Sequence, residues 1–452
     1  MDKQIAKAVQ AEWGIVLYAE VMEDKLVKKL VALLKEAVKP DPDCTQLTKM
    51  YSQFSASFIP KAAELSIKGK NAWKVYLLDL LLSDENTFTL LAEAYEFEKM
   101  PAELKKIAEQ DLSLIQSLAS FSIDTMREIL SKKTNAESEV IDRLPDWDGI
   151  CVMNNEKKSD EISSYFYGLS NWERGLEKLS KYYYNNGAGQ FGEYHTLRWV
   201  RKNDSAELVG VKNTDIVQMN QLYEYEREQA KIIQNTEQFL QGYSGNNVLL
   251  YGDRGTGKSS TVKALVNKFG SQGLRLIELQ KQDIADYPQI ISKLVNRPQK
   301  FILFIDDLSF NDNEGQYREM KALLEGGVEV KPKNVLVYAT SNRRHLVYEK
   351  HSDREYTGGF QENDEVRRMD TLQEKLSLAD RFGIAVTFAA PDQKRYLTIV
   401  EKLALERGLD ISLEELRQLA IKWEMSYNVR SGRTARQFVD FLEGQLALEN
   451  VR

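Results

Sequence analysis

Through the first 145 residues the apolar positions recur at steps of three and four. Leu26, Leu30, Val31, Leu34 and Val38 keep that spacing until Pro40 stops it, and Leu104, Ile107, Leu112, Ile115 and Leu118 resume it after Pro101. A period near 3.6 lines one face of a helix with apolar side chains, so the pattern predicts a mainly α-helical N-terminal domain over residues 1–160. No fixed-period repeat specifies a solenoid. After Asp204 short apolar runs alternate with amphipathic helices, the runs falling at residues 248–251, 274–279, 301–305, 335–339 and 384–388. Five such runs predict a five-stranded, mostly parallel sheet covered on both faces, in an α/β core over residues 206–390. From Pro391 only helical spacing remains, with Leu397, Val400, Leu403 and Ala404 on one face and Leu413, Leu416, Leu419 and Ala420 on another. That predicts an all-α lid over residues 391–452.

Residues 161–205 differ in composition and are expected to connect the two parts. Tyr165, Phe166, Tyr167, Tyr182, Tyr183, Tyr184 and Tyr194 are followed by Arg198, Arg201 and Lys202. Aromatics interleaved with basic residues have the chemistry to stack on the bases of a single strand. The alternative is a packed aromatic layer joining two domains.

The sharpest chemical signal is Gly252-Asp253-Arg254-Gly255-Thr256-Gly257-Lys258-Ser259-Ser260, between a predicted strand and a helix with Val262, Leu265, Val266 and Phe269 on one face. Strand, glycine-rich loop and helix in this order make a phosphate cradle, because the loop aims several backbone N–H groups at one point and the helix N-terminus adds partial positive charge. Lys258 is expected to reach the outer phosphates of a nucleotide and the Ser259 hydroxyl to take a place on Mg²⁺. The second element is the apolar run Phe301-Ile302-Leu303-Phe304-Ile305, ending in Asp306 and Asp307. Asp306 is expected to hold Mg²⁺ through water, and Asp307 to orient or deprotonate the attacking water.

With those residues the stretch from Ala206 to Leu446 resembles the AAA+ superfamily of ring-forming, P-loop ATPases. The blocks GDRGTGKSS, FILFIDDLSF, VYATSNRRHL and LSLADRFG are similar to a bacterial family of AAA+ proteins catalogued as a domain of unknown function, number eight hundred and fifteen. The resemblance implies that Asn342 positions the attacking water and that Arg381 reaches a neighbouring subunit's nucleotide. It implies that Arg433, ahead of Arg436, contacts the γ-phosphate from the lid, and that Glu207-Leu208-Val209-Gly210 closes over adenine, with Val209 and Gly210 at the base. It further implies ATP and Mg²⁺ as ligands, a homo-oligomer, and hydrolysis coupled to remodelling of a macromolecular partner.

Two departures bear on that expectation. Most active members have Glu where this chain has Asp307, one methylene shorter, and displacing a catalytic group by about 1 Å can cost on the order of a hundredfold. A slowly hydrolysing, nucleotide-gated switch is therefore the second reading. The place where such rings carry an aromatic-apolar-glycine threading loop reads Gln280-Lys281-Gln282-Asp283-Ile284-Ala285-Asp286-Tyr287, with no glycine.

Charge and composition narrow the partners. The 452 residues carry a formal charge of −7 and only three histidines and two cysteines. Net acidity argues against a protein coated in basic surface for nucleic acid, although the charged stretch from Arg343 to Thr371 and the aromatic-basic segment leave DNA-linked remodelling as a third reading. No paired Cys/His spacing provides a zinc site. No charged-then-apolar leader opens the sequence and no run of about 18 apolar residues occurs, so a cytoplasmic protein is expected, in which Cys44 and Cys151 would stay reduced.

Overall fold

The computed structural model describes the chain except residues 1, 41, 66–70, 134–140, 142–143, 148–149, 151–160, 203–204, 213, 215–216, 310–313, 326–331, 343–377, 379, 428 and 450–452. It divides into two compact units, Met1–Glu193 and Tyr194–Arg452. The break falls inside the segment expected to be a connector. Tyr165, Phe166, Tyr182 and Tyr183 pack in the first unit's core, while the basic residues 198–202 belong to a strand of the second.

Among its described residues the first unit is helical. The helix Lys25–Val38 starts where the Asp24 carboxylate accepts from the N–H groups of Leu26 and Val27, capping donors that have no partner within the helix. It buries Val27, Leu30, Val31, Leu33, Leu34 and Ala37, while Val38, expected on the apolar face, is exposed at the helix end. Phe54, Phe58, Trp73 and Trp147 form a nest of rings 5.2–5.7 Å apart, mostly edge to face. Asp111, fully buried in the helix Ala102–Ala119, accepts from the N–H groups of Val16, Leu17 and Tyr18 and so fixes the turn after the first helix.

Among its described residues the second unit holds a seven-stranded sheet rather than the expected five: β1 (Thr196–Lys202), β2 (Ser205–Gly210), β3 (Val248–Gly252), β4 (Leu274–Leu279), β5 (Lys300–Ile305), β6 (Val335–Ser341) and β7 (Ile384–Phe388), in the order β2-β1-β4-β5-β6-β3-β7. All neighbours are parallel except β1 and β2. Four of the five expected strands are largely buried, and β5 and β6 are continuous runs in the sequence, while β7, at the sheet's edge, buries only Val386 and Phe388 in alternation. The two extra strands alternate too. Leu197 and Trp199 are buried while Arg198 between them is exposed, so a composition-based reading of the segment hides a period of two, and Arg201, two residues beyond Trp199, reaches the same Asp286 carboxylate.

The basic residues of β1 are neutralised. Arg198 pairs with Glu278, Arg201 with Asp283 and Asp286, and Lys202 with Glu207, while Trp199 Nε1 donates to Asp286. Asp283 and Asp286 lie in the short 3₁₀ turn Lys281–Asp286, so the position of a threading loop is here tied down to β1. Helices Gln393–Glu406, Leu413–Tyr427 and Gly432–Glu449 form a C-terminal bundle with its own core around Tyr396, Ile399, Val400, Leu416, Ala420, Phe438 and Val439. Among the described residues no helix is long and apolar enough to cross a membrane.

Candidate nucleotide-binding site

Because β3, β5 and β6 run parallel, their C-terminal ends open on one edge of the sheet. Register then assembles the site: Tyr251 pairs with Ser341 and Ile305 with Ala339, so the glycine-rich loop, Asp306–Asp307 and Asn342 emerge side by side. Gly252 has φ +131°, and a Cβ there would lie 2.2 Å from the Phe388 carbonyl oxygen, so only glycine lets the loop leave β3 against β7. Gly255, with φ +74°, lies under Ser431 and Arg433 of the helical bundle, and a Cβ would meet the Ser431 hydroxyl at 2.8 Å.

Within the loop, Lys258 Nζ donates to the carbonyls of Gly252 at 3.0 Å and Asp253 at 2.6 Å and to Asn342 Oδ1 at 3.3 Å. Burial holds its ammonium below the usual lysine range, with Asp253, Asp306 and Asp307 pulling it back up. Ser259 Oγ donates to Asp306 Oδ1 at 2.5 Å, and Thr340 Oγ1 donates to the same oxygen. Asp307 stands in the left-handed region at φ +51°, which a short polar side chain tolerates. Its N–H donates to Thr340 Oγ1 at 2.9 Å and its carboxylate accepts from Asn342 Nδ2 at 2.6 Å.

These groups line one cavity of about 740 Å³. Its floor is Arg254, Gly255, Thr256, Gly257, Lys258, Ser259 and Ser260, with Asp306, Asp307, Thr340 and Asn342 alongside. Gln221, Leu222, Tyr223 and Tyr225 form one wall, and Ile399, Leu403, Gly432, Arg433 and Arg436 of the bundle form the other. The Arg433 N–H donates to the Gly255 carbonyl at 3.1 Å, so the third helix of the bundle starts directly on the loop. Four cations and a fan of N–H groups around a concavity suit an anion, and a serine hydroxyl beside a carboxylate oxygen is a hard-oxygen donor set of the kind Mg²⁺ takes.

Some expected residues fall elsewhere. Val209 and Gly210 lie on β2, at the far edge of the sheet, with β1, β4, β5 and β6 between it and β3. At about 4.8 Å per strand that is roughly 24 Å from the loop, so they cannot close over a base there. Gln221, Leu222, Tyr223 and Tyr225 line the cavity instead. Their signal, aromatic residues just before an amphipathic helix, is weak, and Leu403 reads in the sequence as an ordinary core position. Arg381, at the turn before β7, is not among the residues lining the cavity, and its N–H donates to Leu378 O. Asp253 belongs to the loop but its side chain turns to the Ala390 N–H. The charged stretch from Arg343 to Thr371 lies outside the described residues.

The chain is 25% identical over 190 residues to the 26S proteasome regulatory subunit 4 homolog of Schizosaccharomyces pombe, covering 38% of this chain and 37% of that subunit, so it spans well under half of that relative's length. Among solved structures it is similar to the RuvB Holliday junction branch migration motor of Thermotoga maritima, with a TM-score of 0.36 and 15% identity over 52% of this chain and 66% of that one. It is also similar to the Aeropyrum pernix ORC1 protein in complex with DNA, with a TM-score of 0.35 and 16% identity over 51% and 61%. The family model described as "Protein of unknown function (DUF815)" matches residues 192–446, from just before β1 to the last helix. On that match, which covers more than half of its length, the chain belongs to the DUF815 family.

Proposed function

We propose that this chain hydrolyses Mg·ATP bound between its α/β core and its C-terminal helical bundle, and couples turnover to a movement of that bundle against a macromolecular partner. The observation that carries this reading is the convergence of Lys258, Ser259, Asp306, Asp307, Asn342, Arg433 and Arg436, from four separate elements, on one cavity. The N–H groups of residues 254–260 and the Lys258 ammonium hold the phosphate tail. Leu222 and Tyr223 on one side, with Ile399 and Leu403 on the other, give the base an apolar slot that both core and bundle must close.

Ser259 and Asp306 are the residues that would hold Mg²⁺, which when bound supplies neutralisation of the phosphate charge. Asp307 orients the attacking water and takes its proton, and Asn342 fixes the Asp307 carboxylate. Arg433, with Arg436 one turn further on, meets charge at the outer phosphate from the bundle side. Arg381 stands away from its own cavity and is assigned to a neighbouring copy's nucleotide, which makes the working form a homo-oligomer, with a ring as its simplest closure. The compartment that suits an ATP-consuming machine of this kind is the cytoplasm. DNA is a weaker candidate for the target, because Arg198, Arg201 and Lys202 already engage carboxylates. The test is steady-state ATP turnover with Mg²⁺, with a chelator, and with Lys258→Ala. Turnover that survives the last change refutes the reading.

One observation favours a slower role as a nucleotide-gated switch. Asp307 is short, stands in a left-handed conformation and is tied to Asn342. In that case binding alone orders the bundle, and Asp307→Glu raises the rate instead of lowering it.

A further inference from the structure

The chain passes from β7 into the helical bundle through Ala389, Ala390 and Pro391. One peptide unit of that junction is gripped at both of its polar ends. Tyr225 Oη donates to the Ala389 carbonyl at 2.7 Å, and the Ala390 N–H donates to Asp253 Oδ2 at 2.6 Å. Pro391 locks its own φ and keeps Ala390 extended, so a change in bundle orientation at this junction must turn the 389–390 peptide or the torsions beside it.

Both grips come from the nucleotide cavity's own elements. Tyr225 belongs to the base-side wall, stacks on Phe388 at 5.2 Å and carries the Arg395 guanidinium of the bundle 5.1 Å from its ring centre. Asp253 belongs to the phosphate loop but is not among the residues lining the cavity. A carboxylate aimed at a triphosphate would repel it, and this one points instead at the junction. Its main chain is held as firmly. The Asp253 N–H donates to Phe388 O at 3.0 Å, and its carbonyl accepts from Lys258 Nζ at 2.6 Å and from Thr256 Oγ1 at 2.8 Å. One residue therefore joins the phosphate-facing lysine to the peptide on which the bundle turns.

We infer that Asp253 and Tyr225 are positioning residues that lock the 389–390 peptide, so that the phosphate loop and the base wall jointly set the angle of the helical bundle. This inference rests on the nucleotide-binding reading above for its purpose, while the lock itself rests on these hydrogen bonds. Hydrogen exchange at the Ala390 amide, measured by mass spectrometry on the full chain, tests it directly. Without nucleotide, Asp253→Ala should speed exchange there by about tenfold, the worth of one hydrogen bond to a charged acceptor, and Asp253→Asn, which keeps an acceptor oxygen, should stay near wild type. Tyr225→Phe should speed it by a smaller factor. With Mg·ATP, Asp253→Ala should lose less than tenfold in affinity while kcat falls by more, a split that a phosphate contact would not give. Unchanged exchange in both Asp253→Ala and Tyr225→Phe overturns the inference, as does loss of nucleotide binding by Asp253→Ala with exchange unchanged. If wild type binds no nucleotide, the proposed function fails, while the exchange arm still decides the lock.

Discussion

The Asn342 carboxamide donates to the Asp307 carboxylate at 2.6 Å. Its oxygen accepts from Lys258 at 3.3 Å, so one amide spans the group that would hold phosphate and the group that would take a proton. Asp307→Asn should lower kcat by about 10²–10⁴, the usual worth of a positioned base, with nucleotide affinity changed only a few-fold. Asn342→Ala should lower kcat less, because Thr340 still holds the Asp307 backbone. Stopped-flow turnover beside equilibrium binding checks both. A large loss of affinity in either variant would assign these residues to binding instead.

Arg433 and Arg436 both face the cavity, and Arg433 also starts the helix that sits on Gly255. If they meet the outer phosphate, Arg433→Ala should weaken ATP by about tenfold and leave ADP nearly unaffected, since one charge-assisted hydrogen bond is lost. Arg436→Ala should do the same to a smaller degree. Titration of each variant with labelled ATP and ADP provides the comparison, and equal losses for both nucleotides would remove the γ-phosphate role.

For Arg381 the expected loss in kcat on changing to alanine is about 10³ or more, with nucleotide binding retained. Mixing Arg381→Ala with Lys258→Ala should restore part of the rate, because a subunit with an intact phosphate loop then meets a neighbour with an intact arginine. No restoration at any mixing ratio would place Arg381 in its own subunit's service.

The buried strands, the phosphate loop and the acidic pair were legible because each imposes a local pattern: continuous apolar runs, glycines before Lys258, and two carboxylates at the end of β5. What the chain hides is tertiary. β1 and β2 carry polar residues on an outward face, and Trp199 with Arg198 and Arg201 reads as an aromatic-basic segment until the partners Asp286 and Glu278 are seen across the fold. Val209 and Gly210 lie away from the cavity for the same reason. Val209 looks apt beside the core in sequence, but strand order carries it to the opposite edge, and no local spacing encodes strand order. Asp253 shows the limit inside a motif, since membership of the loop does not tell which way a carboxylate turns.

Trp199 lets the added strands be tested as part of the sheet. It is 1% exposed and its indole N–H donates to Asp286 at 2.8 Å. Trp199→Ala should destabilise the second unit by about 3–5 kcal/mol, the range for deleting a large buried ring. Chemical denaturation followed by circular dichroism measures it, and a change below about 1 kcal/mol would mean the hairpin is an appendage rather than part of the core.

In the first unit, Asp84 is 4% exposed and its Oδ2 has no hydrogen-bond partner among the described residues. Burial, with Glu20, Asp111 and Glu85 adding to it, pushes its carboxyl up to about 7, against the opposing bond from Asn86. The folded state thus keeps a proton that the unfolded chain releases near 3.8, so this group's contribution to stability falls as pH rises from 3.8 to about 7. Asp84→Asn should flatten that part of the profile and raise the melting temperature more at pH 8 than at pH 5. Equal shifts at both values would show that Asp84 is ionised in the fold.

Equilibrium titration of the full-length chain with fluorescent ATP and Mg²⁺, beside Lys258→Ala, bears on the central claim most directly. Saturable binding by wild type and a loss of about a hundredfold or more in the variant are predicted, since the ammonium is a charge in a partly desolvated cradle. Absence of binding by wild type, or equal affinity in the two proteins, would contradict the account.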